Sequence, residues 1–222
     1  MGTEARFADR AEAGRELAAA LSNYRNRNDV VVLALLRGGV PVAFEVAREL
    51  HAPLDAFVVR KLGLPAQPEL AMGAIASGGI QVLNDEVVNA LGVPQETIEK
   101  VAAREREELA RRERLYRGER RGQSVEGKTV ILIDDGVATG STMRAAIKAL
   151  REQKPAELVV AIPVAPPETV EALRSEADNV VCTRTPEPFL ALGAWYASFP
   201  QTPDAEIQDL LARAEEHARD RD

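Results

Sequence analysis

The stretch Val130-Ile131-Leu132-Ile133-Asp134-Asp135-Gly136-Val137-Ala138-Thr139-Gly140-Ser141-Thr142 constrains the fold more than any other part of the chain. Its four opening branched apolar residues read as a strand buried on both faces, the kind found in a parallel sheet. The strand ends on two carboxylates, a loop with two glycines follows, and Met143 to Glu152 has the composition of a helix. A strand, tight loop and helix N-terminus bring backbone N–H groups and the helix dipole together on an anion, usually phosphate. Thr139, Ser141 and Thr142 add hydroxyls to that cradle. Acids beside a phosphate would repel it, so Asp134 and Asp135 must contact something else on the same ligand. Sugar hydroxyls or a magnesium ion fit.

A second strand-loop-helix lies earlier. Val30 to Leu36 is a continuous apolar run stopped by Arg37-Gly38-Gly39, and Pro41 to Leu50 reads as a helix with Pro in its first turn. It again aims backbone donors and a cation at an anion. A third apolar strand, Ala56-Phe57-Val58-Val59, ends in Arg60-Lys61. Leu62 to Met72, with Gly63, Pro65 and Pro68, lacks a regular period and suits a mobile lid whose one acid is Glu69. Ala74 to Ala76 and Ile80 to Leu83 then read as a hairpin, so that residues 61–83 form a flexible lid and hairpin.

Strands alternate with helices through most of the chain, which predicts an α/β fold: a parallel twisted sheet flanked by helices, formed by residues 1–222 as a single domain. Asp9 to Leu21 reads as an amphipathic helix with an architectural role. Residues 95–117 form a helix dense in Arg and Glu with a thin apolar stripe, lying on the domain surface or at the contact of a homodimer. Leu158 to Ile162 reads as a core strand stopped by Pro163. Residues 186–222 form a small C-terminal hood, rich in aromatics, and a closing amphipathic helix. A net charge of −7 argues against a nucleic-acid partner. The sequence lacks an apolar run long enough for a membrane span or signal peptide, so a cytoplasmic protein with no membrane partner is the expectation. Cys182 reads as a small buried hydrophobe.

The acid pair followed by Ala138-Thr139-Gly140-Ser141-Thr142 resembles the phosphoribosyl-pyrophosphate (PRPP) motif of the type I phosphoribosyltransferases. The chain is also similar to a bacterial phosphoribosyltransferase-like group of unassigned substrate, in which Arg-Gly-Gly-Val, Val-Arg-Lys and Asp-Asp-Gly-Val-Ala-Thr-Gly recur. The resemblance implies that Asp134 and Asp135 hold the ribose hydroxyls and that the loop from Gly136 through Val137 and Ala138 to Thr142 holds the 5-phosphate. It implies that Arg37, Gly38 and Gly39, with Arg60 and Lys61, hold the pyrophosphate, and that a non-proline cis peptide lies at Leu36-Arg37. Arg37, Lys61, Asp134 and Asp135 are then the catalytic set. Mg²⁺ is the implied cofactor, with Asp134 and Asp135 as its ligands, directly or through water. The hood resembles that of purine-type enzymes, with Phe189, Trp195 and Tyr196 as base-stacking surfaces.

The activity this implies is transfer of the 5-phosphoribosyl group from PRPP to a purine or pyrimidine base with release of pyrophosphate. The alternative is a non-catalytic regulatory protein that senses PRPP or a nucleotide with the same fold. One departure bears on the acceptor. Where 6-oxopurine enzymes carry an acid before the Thr-Gly of the motif, this chain has Ala138, which cannot move a proton.

Overall fold

The computed structural model describes residues 6–118 and 122–219. In chain order the first elements are α1 (Arg10–Ala20), β1 (Val30–Leu35), α2 (Gly39–Leu50), β2 (Leu54–Phe57), β3 (Val59–Leu64), β4 (Gln67–Ala76) and β5 (Ile80–Leu83). Then come α3 (Asp85–Ala90), α4 (Gln95–Arg117), β6 (Thr129–Ile133), α5 (Ser141–Glu152), β7 (Glu157–Val164), α6 (Pro167–Arg174), β8 (Asn179–Arg184) and α7 (Asp204–Arg219). Among the described residues no helix is long and apolar enough to cross a membrane.

Five parallel strands make the central sheet in the order β2-β1-β6-β7-β8. Every residue of β1 and β6 is buried because helices cover both faces. Val30, Val32, Ala34, Ile131 and Ile133 point into a core shared with α1, α2 and α7, whereas Val31, Leu33, Leu35, Val130 and Leu132 meet α5 and α6. From β1 the chain builds outward to β2 on one side, and from β6 to β7 and β8 on the other. The order therefore reverses between β1 and β6, and the crevice beyond their carboxyl ends is where open α/β sheets bind ligands.

The apolar run 56–59 is not one strand. β2 ends at Phe57 in the central sheet, and β3 begins at Val59 in a separate antiparallel sheet of order β3-β4-β5. Val58 lies at the crossing, where its N–H donates to Ser77 Oγ at 3.0 Å and its carbonyl accepts from Ser77 N at 2.9 Å. The expected irregular lid is likewise a paired structure, with Arg60 opposite Ile75 and Lys61 opposite Ala74. Register shifts around Gly63 break the period of two that marks a strand in sequence, and a Cβ at Gly63 would lie 2.4 Å from the Pro68 carbonyl oxygen.

The charged helix α4 roofs this second sheet. Ile98, Ala102 and Leu109 pack with Val58, Leu62, Met72 and Ile75, so the thin stripe covers a small core of its own while the charged remainder of α4 faces outward on the domain surface. β7 passes through Pro163 to Val164, because β6 pairs only as far as Ala161 and the proline lies beyond that ladder. Cys182 is partly buried against the core around α5 and α6.

A buried ion pair pins the end of α4 to β2. Asp55 accepts from Arg117 Nε at 2.8 Å and from the Gln123 N–H at 2.9 Å, while Arg117 Nη2 donates to the Ala56 carbonyl at 2.6 Å. Asp55→Ala removes the acceptor of Arg117 Nε and of the Gln123 N–H while Glu113 still holds Arg117 Nη1 at 2.8 Å, so it is expected to cost about 2 kcal/mol of stability in urea unfolding. An unchanged midpoint would show that the pair does not hold α4 down.

Candidate functional site

The loops after β1 and β6 meet at the switch point. Leu36-Arg37 is a cis peptide, as expected from the resemblance. Gly38 and Gly39 follow, and both are glycine for want of space. A Cβ on Gly38 would lie 1.9 Å from Asp135 Oδ2, and one on Gly39 would lie 2.7 Å from the Ile133 carbonyl oxygen. The β1 loop is thus pressed against the acid pair with no room for a side chain between them.

Beyond β6 the Asp134 carboxylate accepts the Asp135 N–H at 2.9 Å. Burial, reinforced by the neighbouring Asp135 charge, holds the Asp134 carboxyl well above the usual carboxylate range. Burial also raises Asp135, and the Arg10 guanidinium beside it pulls the other way. Gly136 takes φ 154, and Gly140, at φ 77, opens α5 without a side-chain cap. Thr169 Oγ1 donates to the Ala138 carbonyl at 2.7 Å and Val137 N to the Val164 carbonyl at 3.0 Å, which fixes the inner side of the loop. Ala138, Thr139, Ser141 and Thr142 are exposed. An uncapped helix N-terminus with exposed hydroxyls is suited to an anion.

The two raised carboxylates carry a stability consequence. A carboxyl whose folded pKa lies above its ordinary value takes stability away as pH climbs from about 4 through the folded value, because the folded state must then give up a proton it holds more tightly than the unfolded chain does. Asp134→Asn keeps the acceptor for the Asp135 N–H and removes the charge. In metal-free buffer at pH 7.5 it is expected to raise Tm by a few degrees, with the gain vanishing near pH 4. A lower Tm at pH 7.5 would contradict this electrostatic account.

Arg10 is the site residue that the sequence analysis missed. The helix read as architectural places it, at the first position after the N-cap Asp9, with Nε 2.7 Å from Asp135 Oδ2 and Nη1 2.7 Å from the Pro200 carbonyl. Its guanidinium carbon lies 3.9 Å from the centre of the Phe199 ring. A cation at a helix N-terminus opposes the dipole, and that misfit was the available signal.

Of the three hood aromatics expected at the base, Tyr196 is the one whose burial departs from that reading. Tyr196 is only 3% exposed, and its hydroxyl donates to the Asp135 carbonyl. Burial, followed by the Asp135 charge, pushes its pKa up. Tyr196 lies under the site, with Phe7 and Phe199 against its ring, and offers no face to a base. Phe189 and Trp195 are partly buried in the same small core. These side chains pack on one another and on Ala13 of α1 and Val164 of β7, while Leu190 of the hood stays 85% exposed.

The cations divide. Arg60 turns toward α4, where Nη2 lies 2.7 Å from Glu105, an acid that the sequence analysis did not connect with it. Lys61, next along β3, is exposed on the other face. Arg37 leans toward Asp204 at 3.7 Å, whose Oδ1 also accepts from Tyr116 Oη at 2.6 Å. The side chain of Glu69 lies outside the described residues.

Comparison with known proteins agrees with this geometry. The profile of the phosphoribosyl transferase domain matches residues 6–189. A Mycobacterium tuberculosis protein named "Putative phosphoribosyl transferase Rv0571c" is 45% identical over 208 residues, covering 94% of this chain and 47% of the relative. The chain thus spans about half the length of the curated relatives it matches. The crystal structure of TT1426 from Thermus thermophilus is 43% identical with a TM-score of 0.84, covering 94% of this chain and 98% of that one. The AQ2163 protein of Aquifex aeolicus shares the fold at 11% identity and a TM-score of 0.51, covering 91% and 84% of the two chains. With the profile spanning most of its length and the switch-point loops carrying the motif, the chain belongs to the phosphoribosyl transferase domain family.

Proposed function

We propose that the chain transfers the 5-phosphoribosyl group of PRPP to a nitrogen of a purine or pyrimidine base and releases pyrophosphate. The observation that carries this reading is the contact of the two switch-point loops, in which the space a Gly38 side chain would need is taken by Asp135. Ligands that join an anion to a polyhydroxyl ring suit such a crevice. The 5-phosphate lies on the loop from Ala138 to Thr142, the ribose hydroxyls donate to Asp134 and Asp135, and the pyrophosphate faces Arg37, the Gly38-Gly39 backbone and Lys61. Arg60, paired with Glu105, is left out of that set.

In the transfer the bond from the anomeric carbon to pyrophosphate breaks as the base nitrogen attacks. Positive charge grows on the ribose near the acid pair, and negative charge grows on the leaving oxygens near Arg37 and Lys61. Among the described residues no group of three or more His, Cys, Asp or Glu could hold a metal ion. Two adjacent carboxylates balanced by one arginine nevertheless fit Mg²⁺, which is commonly held by one or two carboxylates together with substrate phosphates. Asp134 and Asp135 would hold it, and when bound it would neutralise charge on the pyrophosphate. Ala138 offers no proton-transferring group to the base, which counts against a 6-oxopurine handled in that way.

A screen of purine and pyrimidine bases for PRPP-dependent pyrophosphate release tests the reading; turnover with at least one base is expected. A second reading, a PRPP sensor, is favoured by one observation: Arg37 and Arg60 both lie against acids of the protein itself. Binding of PRPP without turnover of any base would select it.

A further inference from the structure

The N-terminal segment and the hood are bound to each other and then to the acid pair. Phe7 N donates to the Trp195 carbonyl at 2.9 Å, Ala197 N to the Phe7 carbonyl at 2.7 Å and Ser198 N to the Ala8 carbonyl at 2.9 Å. Two residues after Ala8, Arg10 enters the site with its side chain 11% exposed. It has three anchors there: the Asp135 carboxylate, the Pro200 carbonyl and the face of Phe199. Tyr196, stacked on Phe199 with centroids 4.8 Å apart, adds a second tie through its hydroxyl to the Asp135 backbone.

We propose that Arg10 is a positioning residue, which fixes the orientation of the Asp135 carboxylate for the ribose and locks the hood to the donor site through Phe199 and Pro200. This rests on the PRPP reading for the identity of the ligand and goes beyond it in assigning the residue. Chemistry supports the role. A planar guanidinium that donates from two of its nitrogens and stacks by its face has one orientation in which all three contacts are made, so it transmits position as well as charge. Oδ2 of Asp135 accepts from Arg10, so Oδ1 is the oxygen left to accept from a sugar hydroxyl. Without Arg10 the carboxylate loses its ion pair, and the hood loses the bridge that joins Pro200 and Phe199 to the acid pair.

The test compares the wild-type chain with Arg10→Met, Arg10→Lys and Arg184→Met. Arg184 lies 3.4 Å from the Phe7 ring and pairs with Glu16 of α1 at 2.7 Å, so its variant disturbs the same aromatic core and the same helix while leaving the Arg10 side chain in place. Two quantities are read: amide hydrogen exchange at Ala197 and Ser198 in the ligand-free protein, and affinity for PRPP with Mg²⁺ by calorimetry. Arg10→Met is expected to speed exchange at both amides at least tenfold and to weaken PRPP binding at least tenfold, with Arg10→Lys recovering part of both. Arg184→Met is expected to speed exchange and leave affinity unchanged. Wild-type exchange in Arg10→Met would overturn the lock. Faster exchange with wild-type PRPP affinity would overturn the positioning role. If the wild-type chain bound no PRPP, the donor reading and the ribose-positioning role would fail together, and the exchange comparison would still decide whether Arg10 locks the hood.

Discussion

Asp135→Asn is expected to weaken PRPP binding about a hundredfold and to leave thermal stability within a few degrees of wild type. The two halves of this result have separate causes. Ribose hydroxyls donating to a carboxylate make charge-assisted hydrogen bonds, and losing the charge costs roughly 2–3 kcal/mol of binding. In the ligand-free protein the loss is offset. Asn still offers an oxygen to Arg10, and the repulsion that helps to raise Asp134 disappears. Calorimetry and thermal unfolding on the same preparation separate the effects. Wild-type affinity in a folded Asn variant would remove Asp135 from the ribose site.

Gly38→Ala is expected to abolish measurable PRPP binding and to cost about 2 kcal/mol of stability, although Gly38 has helical dihedrals that any residue tolerates. The added methyl would sit 1.9 Å from Asp135 Oδ2 and 2.5 Å from its Cγ, distances that force the carboxylate aside. That carboxylate is pinned by Arg10, so it cannot rotate without breaking the ion pair. The variant therefore tests the loop contact independently of the acid's charge. If the clash is the cause, Gly38→Ala combined with Asp135→Gly should cost clearly less than the sum of the two single substitutions, since the methyl has no carboxylate to displace in the second background. Additive effects would place the cost of the methyl elsewhere.

Much of the central sheet was legible because its strands are covered on both faces, and unbroken apolar runs such as Val30 to Leu35 and Val130 to Ile133 admit few other readings. The motif loop was legible for a related reason: acids, glycines and hydroxyls in fixed order have few uses. In the second sheet the hairpin of β4 and β5 was legible, and β3 with the first half of β4 was not. Gly63, Pro65 and Pro68 break its alternation through a bulge and a turn, and only the pairing partners in β4 reveal β3 as a strand. The thin stripe of α4 was legible, but the sheet it covers was not connected with it, since only the fold brings Ile98, Ala102 and Leu109 onto β3 and β4.

Side-chain direction was the other limit. Arg60 and Lys61 are adjacent in sequence, yet alternation along β3 sends one to Glu105 and the other to the opposite face. Arg10 and Asp135 are far apart in sequence and meet only because α1 packs on the sheet beside the hood. Nothing local to either residue encodes that meeting, apart from the cation placed against a helix dipole.

The central claim is that the crevice between the β1 and β6 loops holds a phosphoribosyl donor by its phosphate and its hydroxyls together. Calorimetric titration of PRPP with Mg²⁺ into the wild-type chain, repeated with ribose 5-phosphate and with pyrophosphate alone, tests it most directly. One PRPP bound per chain is predicted, with ribose 5-phosphate and pyrophosphate each weaker than PRPP by at least tenfold, since each spans only part of the site. Absence of PRPP binding, or pyrophosphate alone binding as tightly as PRPP, would contradict it.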